Sequence, residues 1–259
     1  MNIQVLVATM HQKDYSLLEK MNIQTDAIVG NQCDHNSIEQ FKWKDHEIKY
    51  LNFAERGVGL NRNNALMRAD AEICLFADDD IVFLDDYPKI VEAAFREHPE
   101  ADVLIFNIDE PYKNVNERRY VIKKYARVHY LNYMRYGTVR IAVRLRRVKE
   151  KGIYFNQMFG GGTEYCHGED TLFLTSCLKN GLKIYAVPQT ISVLKEDRES
   201  TWNNGYDKKY LLDQGKLYSV ISIKWWRLLC IQDALRRYKS YGLSVCKAYK
   251  TMISGVKRN

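Results

Sequence analysis

The chain has 259 residues, of which 46% are hydrophobic and 27% charged, which is enough for one large domain or one domain with an appendage. No run reaches the ~18 uninterrupted apolar residues of a membrane span, and the apolar start lacks the basic region and cleavage site of a signal peptide. The six cysteines form no CxxC pair, which argues against a zinc site and favours reduced thiols without disulfides.

Short apolar runs alternate with helical patterns along the chain. The predicted strands, in chain order, are residues 3–8, 27–30, 47–52, 72–77, 102–106 and 182–188. The predicted helices are residues 14–21, 59–69, 86–98 and 170–180, and the chain is helical in pattern from about residue 207 onward. This alternation predicts an α/β fold with a mostly parallel central sheet and helices on both faces. Ligands of such sheets bind beyond the carboxyl ends of the strands, where we expect the functional residues.

Three adjacent carboxylates, Asp78-Asp79-Asp80, directly follow the fourth predicted strand. Their mutual repulsion would raise their pKa values unless a cation lay among them. Mg²⁺ and Mn²⁺ prefer carboxylate oxygens and usually keep open positions for phosphates. The sequence therefore predicts a divalent-metal site here, with a solvated acidic turn as the alternative.

A second acidic pair, Glu169-Asp170, follows Gly168 and a glycine-rich loop at residues 160–163. Glycines let a backbone approach a ligand closely and leave N–H groups free for it. A carboxylate beside such a loop is able to act as a general base on a hydroxyl, whereas the alternative is an acidic pair that complements a helix dipole.

Residues 57–63 form a third constellation, in which Arg62 is a candidate to neutralise a phosphate and Asn63 to fix a loop. The alternative is an ordinary helix start. Together the three constellations predict a diphosphate site, a metal site and a general base, as nucleotide-sugar chemistry requires. A nucleotidyltransferase would use the same groups and is an alternative. No GxxxxGK[ST] segment occurs, so a P-loop is not a rival.

The order of these residues resembles the family 2 glycosyltransferases, which have the GT-A fold. The resemblance covers roughly residues 1–205 and rests on Thr9, Asp34 and the three constellations above. Residues 160–188 resemble the acceptor half of that family. Residues 193–202 resemble a segment of bacterial members that build surface polysaccharides such as capsule or O-antigen.

The resemblance implies residues that bind the nucleotide-sugar donor, for which a UDP-sugar is expected. Thr9 and Asp34 would hold the nucleotide base, and Arg62 would lie near the base or the diphosphate. Asp78 would contact the ribose, and its neighbour Asp79 belongs to the same donor site.

The resemblance also implies the metal ligand and the catalytic groups. Asp80 would bind the Mn²⁺ or Mg²⁺ ion that bridges the diphosphate. Asp170 would be the catalytic base, and Glu169 would help to bind the saccharide acceptor. The implied reaction is an inverting hexosyl transfer to an acceptor hydroxyl, through an oxocarbenium-like transition state. A catalytically silent nucleotide-sugar-binding protein is the other alternative.

We expect a GT-A catalytic domain at residues 1–206, with a nucleotide-binding half at 1–110 and an acceptor-binding half at 111–206, and a helical extension at 207–259. From Lys208 the extension carries twelve Lys and Arg against two Asp, so the rest of the chain has a net charge of −3.

A basic extension predicts an anionic partner, either nucleic acid or a lipid surface. The acidic body argues against nucleic acid. The mixed aromatic and cationic residues of the extension suit a helix that lies in a membrane interface. The resemblance to polysaccharide-building enzymes implies a lipid-linked acceptor and a cytoplasmic location, peripheral on the inner face of the cell membrane. The alternative is a helical cap packed on the catalytic domain.

Overall fold

The computed structural model of the protein describes residues 1–113, 118–195 and 205–257. Its strands are β1 (Ile3–Met10), β2 (Asp26–Gln32), β3 (Ser37–Trp43), β4 (His46–Phe53), β5 (Ile73–Asp78), β6 (Ile81–Phe83), β7 (Val103–Asp109), β8 (Ala126–Val128), β9 (Ile141–Arg144) and β10 (Ile184–Leu194). Its helices are α1 (Ser16–Lys20), α2 (Val58–Arg68), α3 (Tyr87–Glu97), α4 (Leu145–Glu150), α5 (Glu169–Lys179), α6 (Lys208–Ile221), α7 (Trp226–Arg237) and α8 (Val245–Val256).

The strands form one sheet in the order β3-β4-β2-β1-β5-β9-β7-β10-β6, with β8 paired to β10. Six of them, β1, β2, β4, β5, β7 and β10, run in one direction, which confirms the predicted mostly parallel α/β sheet. The parallel strands are apolar for most of their length because helices cover both faces of the sheet. One apolar cluster lies on each face, so the carboxyl ends of these strands remain the natural place for a ligand.

Four strands that the sequence pattern did not predict run in the opposite direction. β3 lies at the edge of the sheet, with every second residue exposed, and β6 and β8 have three residues each. β9 lies between β5 and β7, within an arginine-rich stretch that has no clear pattern. Arg140, just before β9, and Arg144, its last residue, donate from Nε to the carbonyl oxygens of Phe106 and Ala101, at 2.7 and 2.8 Å. These arginines therefore fix β9 in the sheet.

The strand predicted to end at Pro188 continues to Leu194 in the structure. Its pairing with β7 shifts in register between Ala186 and Thr190, and this irregularity accommodates the proline, which has no N–H to donate. The segment at residues 193–202, which carries the resemblance to polysaccharide-building enzymes, lies outside the described residues from 196 onward.

The C-terminal helices α6, α7 and α8 pack together and onto the loop that precedes α5, as the predicted alternative of a helical cap requires. Asp213 in α6 accepts a hydrogen bond from the backbone N–H of Cys166 at 2.9 Å. Leu217, one turn further along α6, lies against Gly168, where a Cβ would be 2.7 Å from its side chain. The extension therefore supports the residues that lead into Glu169-Asp170.

All six cysteines are free thiols in the structure. In the described part of the chain, each helix is too short or too polar to cross a membrane. The division between residues 206 and 207 stays a prediction.

Two glycines allow α6 and α8 to cross at very short range. A Cβ at Gly215 would be 1.8 Å from the carbonyl oxygen of Met252, and one at Gly255 would be 2.0 Å from that of Leu212. Because backbone atoms on both helices block any adjustment, Gly215→Ala is expected to destabilise the fold by about 3 kcal/mol or more. Urea unfolding measures this, with Ser254→Ala on the exposed side of α8 as the control. An unchanged midpoint for Gly215→Ala would contradict the described crossing.

Candidate active site

Sequence-distant residues meet at the carboxyl edge of the parallel strands. Ala8 pairs with Asp78, the last residue of β5, and Thr9 pairs with Asn31 near the end of β2. Helix α2 enters this edge from the loop after β4, and α5 begins beside it at Glu169.

The guanidinium of Arg62 binds three carboxylates at this edge. Its side chain is 4% exposed, and Nη2 donates to both carboxylate oxygens of Asp78, at 2.8 and 3.1 Å. Nη1 donates to Glu169 at 3.1 Å and to Asp170 at 3.3 Å. Burial alone would lower the pKa of Arg62, but the three carboxylates raise it, so the guanidinium stays charged. The predicted metal segment and the predicted base therefore lie in one ion-pair network.

Local structure in α2 aims Arg62 into this network. Gly59 lies so close to the backbone of Asn156 that a Cβ would be 2.5 Å from its carbonyl oxygen. Asn63 exchanges two hydrogen bonds with the backbone of Phe155, at 2.9 and 2.8 Å, as expected for a residue that fixes a loop. The Phe155 ring lies 5.4 Å from the guanidinium carbon of Arg62. The glycine and asparagine residues of the segment 57–63 therefore position the side chain of Arg62.

Asp170 is held from a second side by Thr138, a residue that the sequence pattern did not single out. The Thr138 backbone N–H donates to Oδ2 at 3.1 Å, and its hydroxyl donates to Oδ1. The side chain of Asp170 is 30% exposed, so the carboxylate is oriented while one part of it faces solvent. Together with Arg62, Thr138 gives this carboxylate three donors, which hold it in one orientation.

Glu169 is more deeply enclosed, with 13% of its side chain exposed. Burial, and then the charge of Asp170, raise its pKa well above the usual value, while Arg62 acts in the opposite direction. Gly160 has a φ of 106°, and a Cβ there would be 2.8 Å from the Glu169 carboxyl carbon. The glycine-rich loop therefore packs against Glu169.

Asp80, the last of the three adjacent aspartates, has features that suit a ligand of a hard cation. Its Oδ1 is buried and has no hydrogen-bond partner among the described residues. Burial raises the pKa of Asp80 to about 6, with a further contribution from Asp78, while Arg119 opposes the shift. An ionised carboxylate is costly to bury without a partner, so this oxygen fits a hard divalent ion.

On the predicted nucleotide side, Thr9 and Asp79 are hydrogen-bonded to each other through the Thr9 hydroxyl. Gln12 donates to the same hydroxyl at 2.9 Å, and Asn31 holds the backbone of Gln12 with two hydrogen bonds of 3.0 Å. Gln12 and Asn31 were missed because isolated amides in a loop and at a strand end carry no distinctive spacing. They fix the loop after β1 against the aspartate cluster.

Asp34 lies in the loop after β2, with its side chain 98% exposed. It contacts His35 at 3.0 Å and is not part of the Arg62 network. A residue so placed is open to a ligand, and its role at the nucleotide base stays a prediction.

The raised pKa of Glu169 makes stability depend on pH. A carboxyl that holds its proton more tightly when folded stabilises the fold fully below its unfolded pKa of 4.5, and this contribution disappears as pH rises through the folded value. Glu169→Gln cannot titrate, so wild type should lose on the order of 1 kcal/mol relative to this variant between about pH 5 and about pH 8. Urea unfolding at both values measures the difference. Glu97→Gln, at the exposed end of α3, should track wild type; an identical pH response of Glu169→Gln would show that Glu169 is not perturbed.

Comparisons with known proteins concern the family and the fold of the chain. The model of the family "Glycosyl transferase family 2" matches residues 25–160, which include Arg62 and the three aspartates and end before Glu169. No sequence among the curated proteins matches the chain.

Solved structures match over nearly the whole chain. TarS from S. aureus, residues 1–349, superposes with a TM-score of 0.66 at 17% identity, covering 99% of this chain and 81% of that one. The same protein in complex with UDP-GlcNAc gives 0.65 at 14% identity, covering 99% and 90%. Its complex with UDP gives 0.65 at 17%, covering 99% and 89%. These likenesses show the GT-A fold, and the family match over more than half of the chain shows that the protein belongs to glycosyl transferase family 2.

Proposed function

We propose that the protein is an inverting hexosyltransferase that moves a sugar from a nucleotide-diphosphate donor, a UDP-sugar, to a saccharide hydroxyl. The observation that carries this proposal is the Arg62 network, which joins the aspartate cluster after β5 to Asp170 at the start of α5. The donor phosphates and the acceptor base of one transfer reaction must meet in one site, and this network brings the two candidate segments together.

The donor assignment is supported by the solved structures of similar fold that contain UDP-GlcNAc and UDP. It is also supported by the position of Thr9 and Asp79 at the carboxyl edge of the sheet. We propose that Thr9 and Asp34 hold the nucleotide base and that Asp78 contacts the ribose. Because Arg62 already binds three carboxylates, we propose that it organises the site and does not bind a phosphate directly.

Asp80 is proposed to hold a divalent cation, Mn²⁺ or Mg²⁺. Its buried oxygen without a partner and its raised pKa support this role. Bound there, such an ion would supply Lewis-acid stabilisation of the negative charge on a departing diphosphate.

Asp170 is proposed as the catalytic base. It takes the proton of the acceptor hydroxyl while that oxygen forms a bond to the anomeric carbon, and the bond to the nucleotide diphosphate breaks on the opposite face. Thr138 and Arg62 hold the carboxylate in one orientation, which reduces the entropy lost on reaching this geometry. Glu169, protonated more readily than an ordinary glutamate, is placed beside it to donate a hydrogen bond to the acceptor.

The wider role that we propose is synthesis of a bacterial surface polysaccharide, capsule or O-antigen, on a lipid-linked acceptor. Supporting features are the resemblance of residues 193–202 to polysaccharide-building enzymes and the basic C-terminal extension. A cytoplasmic enzyme at the inner face of the cell membrane, with no nucleic-acid partner, is consistent with both features.

The function is tested by incubating the protein with a panel of nucleotide sugars and saccharide acceptors. Release of UDP is expected, whereas release of pyrophosphate would identify a nucleotidyltransferase and overturn the proposal. Asp170→Asn should lower turnover by about 10²–10⁴-fold, because a positioned base is lost, while UDP still binds in calorimetry. Asp45→Asn, in the exposed turn between β3 and β4, is the matched control. Normal turnover by Asp170→Asn would remove the base assignment.

Metal removal tests the role of Asp80. EDTA should stop UDP release, and Mn²⁺ or Mg²⁺ should restore it. Either ion should also raise the melting temperature of wild type, because it binds the folded state, and should have no such effect on Asp80→Asn. Full activity in chelator, or equal stabilisation of both proteins, would exclude the proposed metal site.

A further inference from the structure

Helix α7 has an apolar side that faces away from the protein. At 3.6 residues per turn, its buried side and the side bearing Leu228, Ile231 and Leu235 are opposite each other. These three side chains are 56%, 40% and 59% exposed. The buried residues of the helix are Cys230, Asp233 and Ala234. Apolar residues at this spacing normally face a core, so a surface that they present to solvent requires a partner.

The apolar surface continues beyond the first residue of α7. Ile223 is 91% exposed and Trp225 is 55% exposed, just before the helix begins. We call these five residues, Ile223, Trp225, Leu228, Ile231 and Leu235, the outer stripe. A tryptophan at one end suits a boundary between water and lipid, where its ring is buried and its N–H stays wet.

Cations border the outer stripe, and exposed acids are missing from its part of the described chain. Lys224, Arg227 and Arg236 are exposed beside it. The two acids that follow Lys208 are both buried: Asp213 is 5% exposed and Asp233 is 6% exposed. Each is paired internally, with Lys209 at 2.6 Å and with Arg237 at 3.4 Å. The exposed residues of α7 and of the turn before it are therefore apolar, positive or uncharged.

We propose that the outer stripe docks onto an anionic lipid surface, with α7 lying parallel to it. Apolar side chains would enter the boundary between headgroups and acyl chains, and the bordering cations would bind acidic headgroups. A second copy of the chain fits this surface less well, because a symmetric pairing would bring the same cations together. A helix of 12 residues is about 18 Å long, which suits a surface position.

Vesicle co-sedimentation of the full chain tests the docking directly. Wild type is expected to bind vesicles that contain about 30% phosphatidylglycerol and to bind pure phosphatidylcholine far less. Replacing Leu228, Ile231 and Leu235 by serine should lower the partition coefficient on anionic vesicles about tenfold or more. The matched control replaces three exposed apolar residues elsewhere, Ile38, Met67 and Leu131, by serine and should bind like wild type.

A second variant separates the electrostatic contribution. Arg227→Gln with Arg236→Gln should lower binding to anionic vesicles several-fold, and added salt should do the same to wild type. Fluorescence of Trp225 should shift to the blue on anionic vesicles, and the shift should shrink in Trp225→Phe. Circular dichroism and urea unfolding identify any variant that fails to fold, and the arginine variant then replaces the serine variant as the test.

The proposal is overturned by wild type that binds neither kind of vesicle, by equal binding to both kinds, or by a serine variant that binds like wild type. A wild-type dimer that dissociates in the serine variant, without vesicle binding, would assign the stripe to a second copy. Release of UDP from the donor during transfer to a soluble acceptor does not enter these readouts. Failure of the docking and failure of the proposed transfer are therefore distinguishable.

Discussion

A single buried positive charge, that of Arg62, makes the candidate active site possible. Asp78, Glu169 and Asp170 come from two segments some ninety residues apart, and like charges at such short range repel one another. The guanidinium offers donors in two directions and keeps its charge when buried, so it binds carboxylates from β5 and α5 at once. Removing it would leave several carboxylates enclosed without a counter-charge, which typically costs about 3–5 kcal/mol for one broken buried pair.

The three aspartates of the cluster lie in three different environments. Asp78 binds Arg62, Asp79 binds Thr9, and Asp80 keeps a buried oxygen without a protein partner. Adjacent residues of a turning chain point in different directions. One short segment therefore reaches towards the proposed catalytic base, the proposed nucleotide site and the proposed cation. This division explains how three neighbouring carboxylates are tolerated at one edge of a sheet.

The sequence predicted the parallel strands because their apolar runs are long and separated by clear helical patterns. It missed β3, β6, β8 and β9, where strands are short, half exposed or embedded in arginine-rich sequence, so that no period stands out. In the site, adjacent acids and glycines were visible as local clusters. Thr138 carries no such signal, because its partner Asp170 lies 32 residues away and only the folded chain brings them together. The spacing around Arg62 showed a charge but not its three carboxylate partners, which only the folded chain brings together.

The contact between Leu217 and Gly168 ties the helical extension to the start of α5. The family match ends at residue 160, so it stops short of this contact. The C-terminal helices could therefore be exchanged for others with a different outer surface, while the sheet stays the same. The glycine at position 168 is the joint at which such an exchange would have to fit.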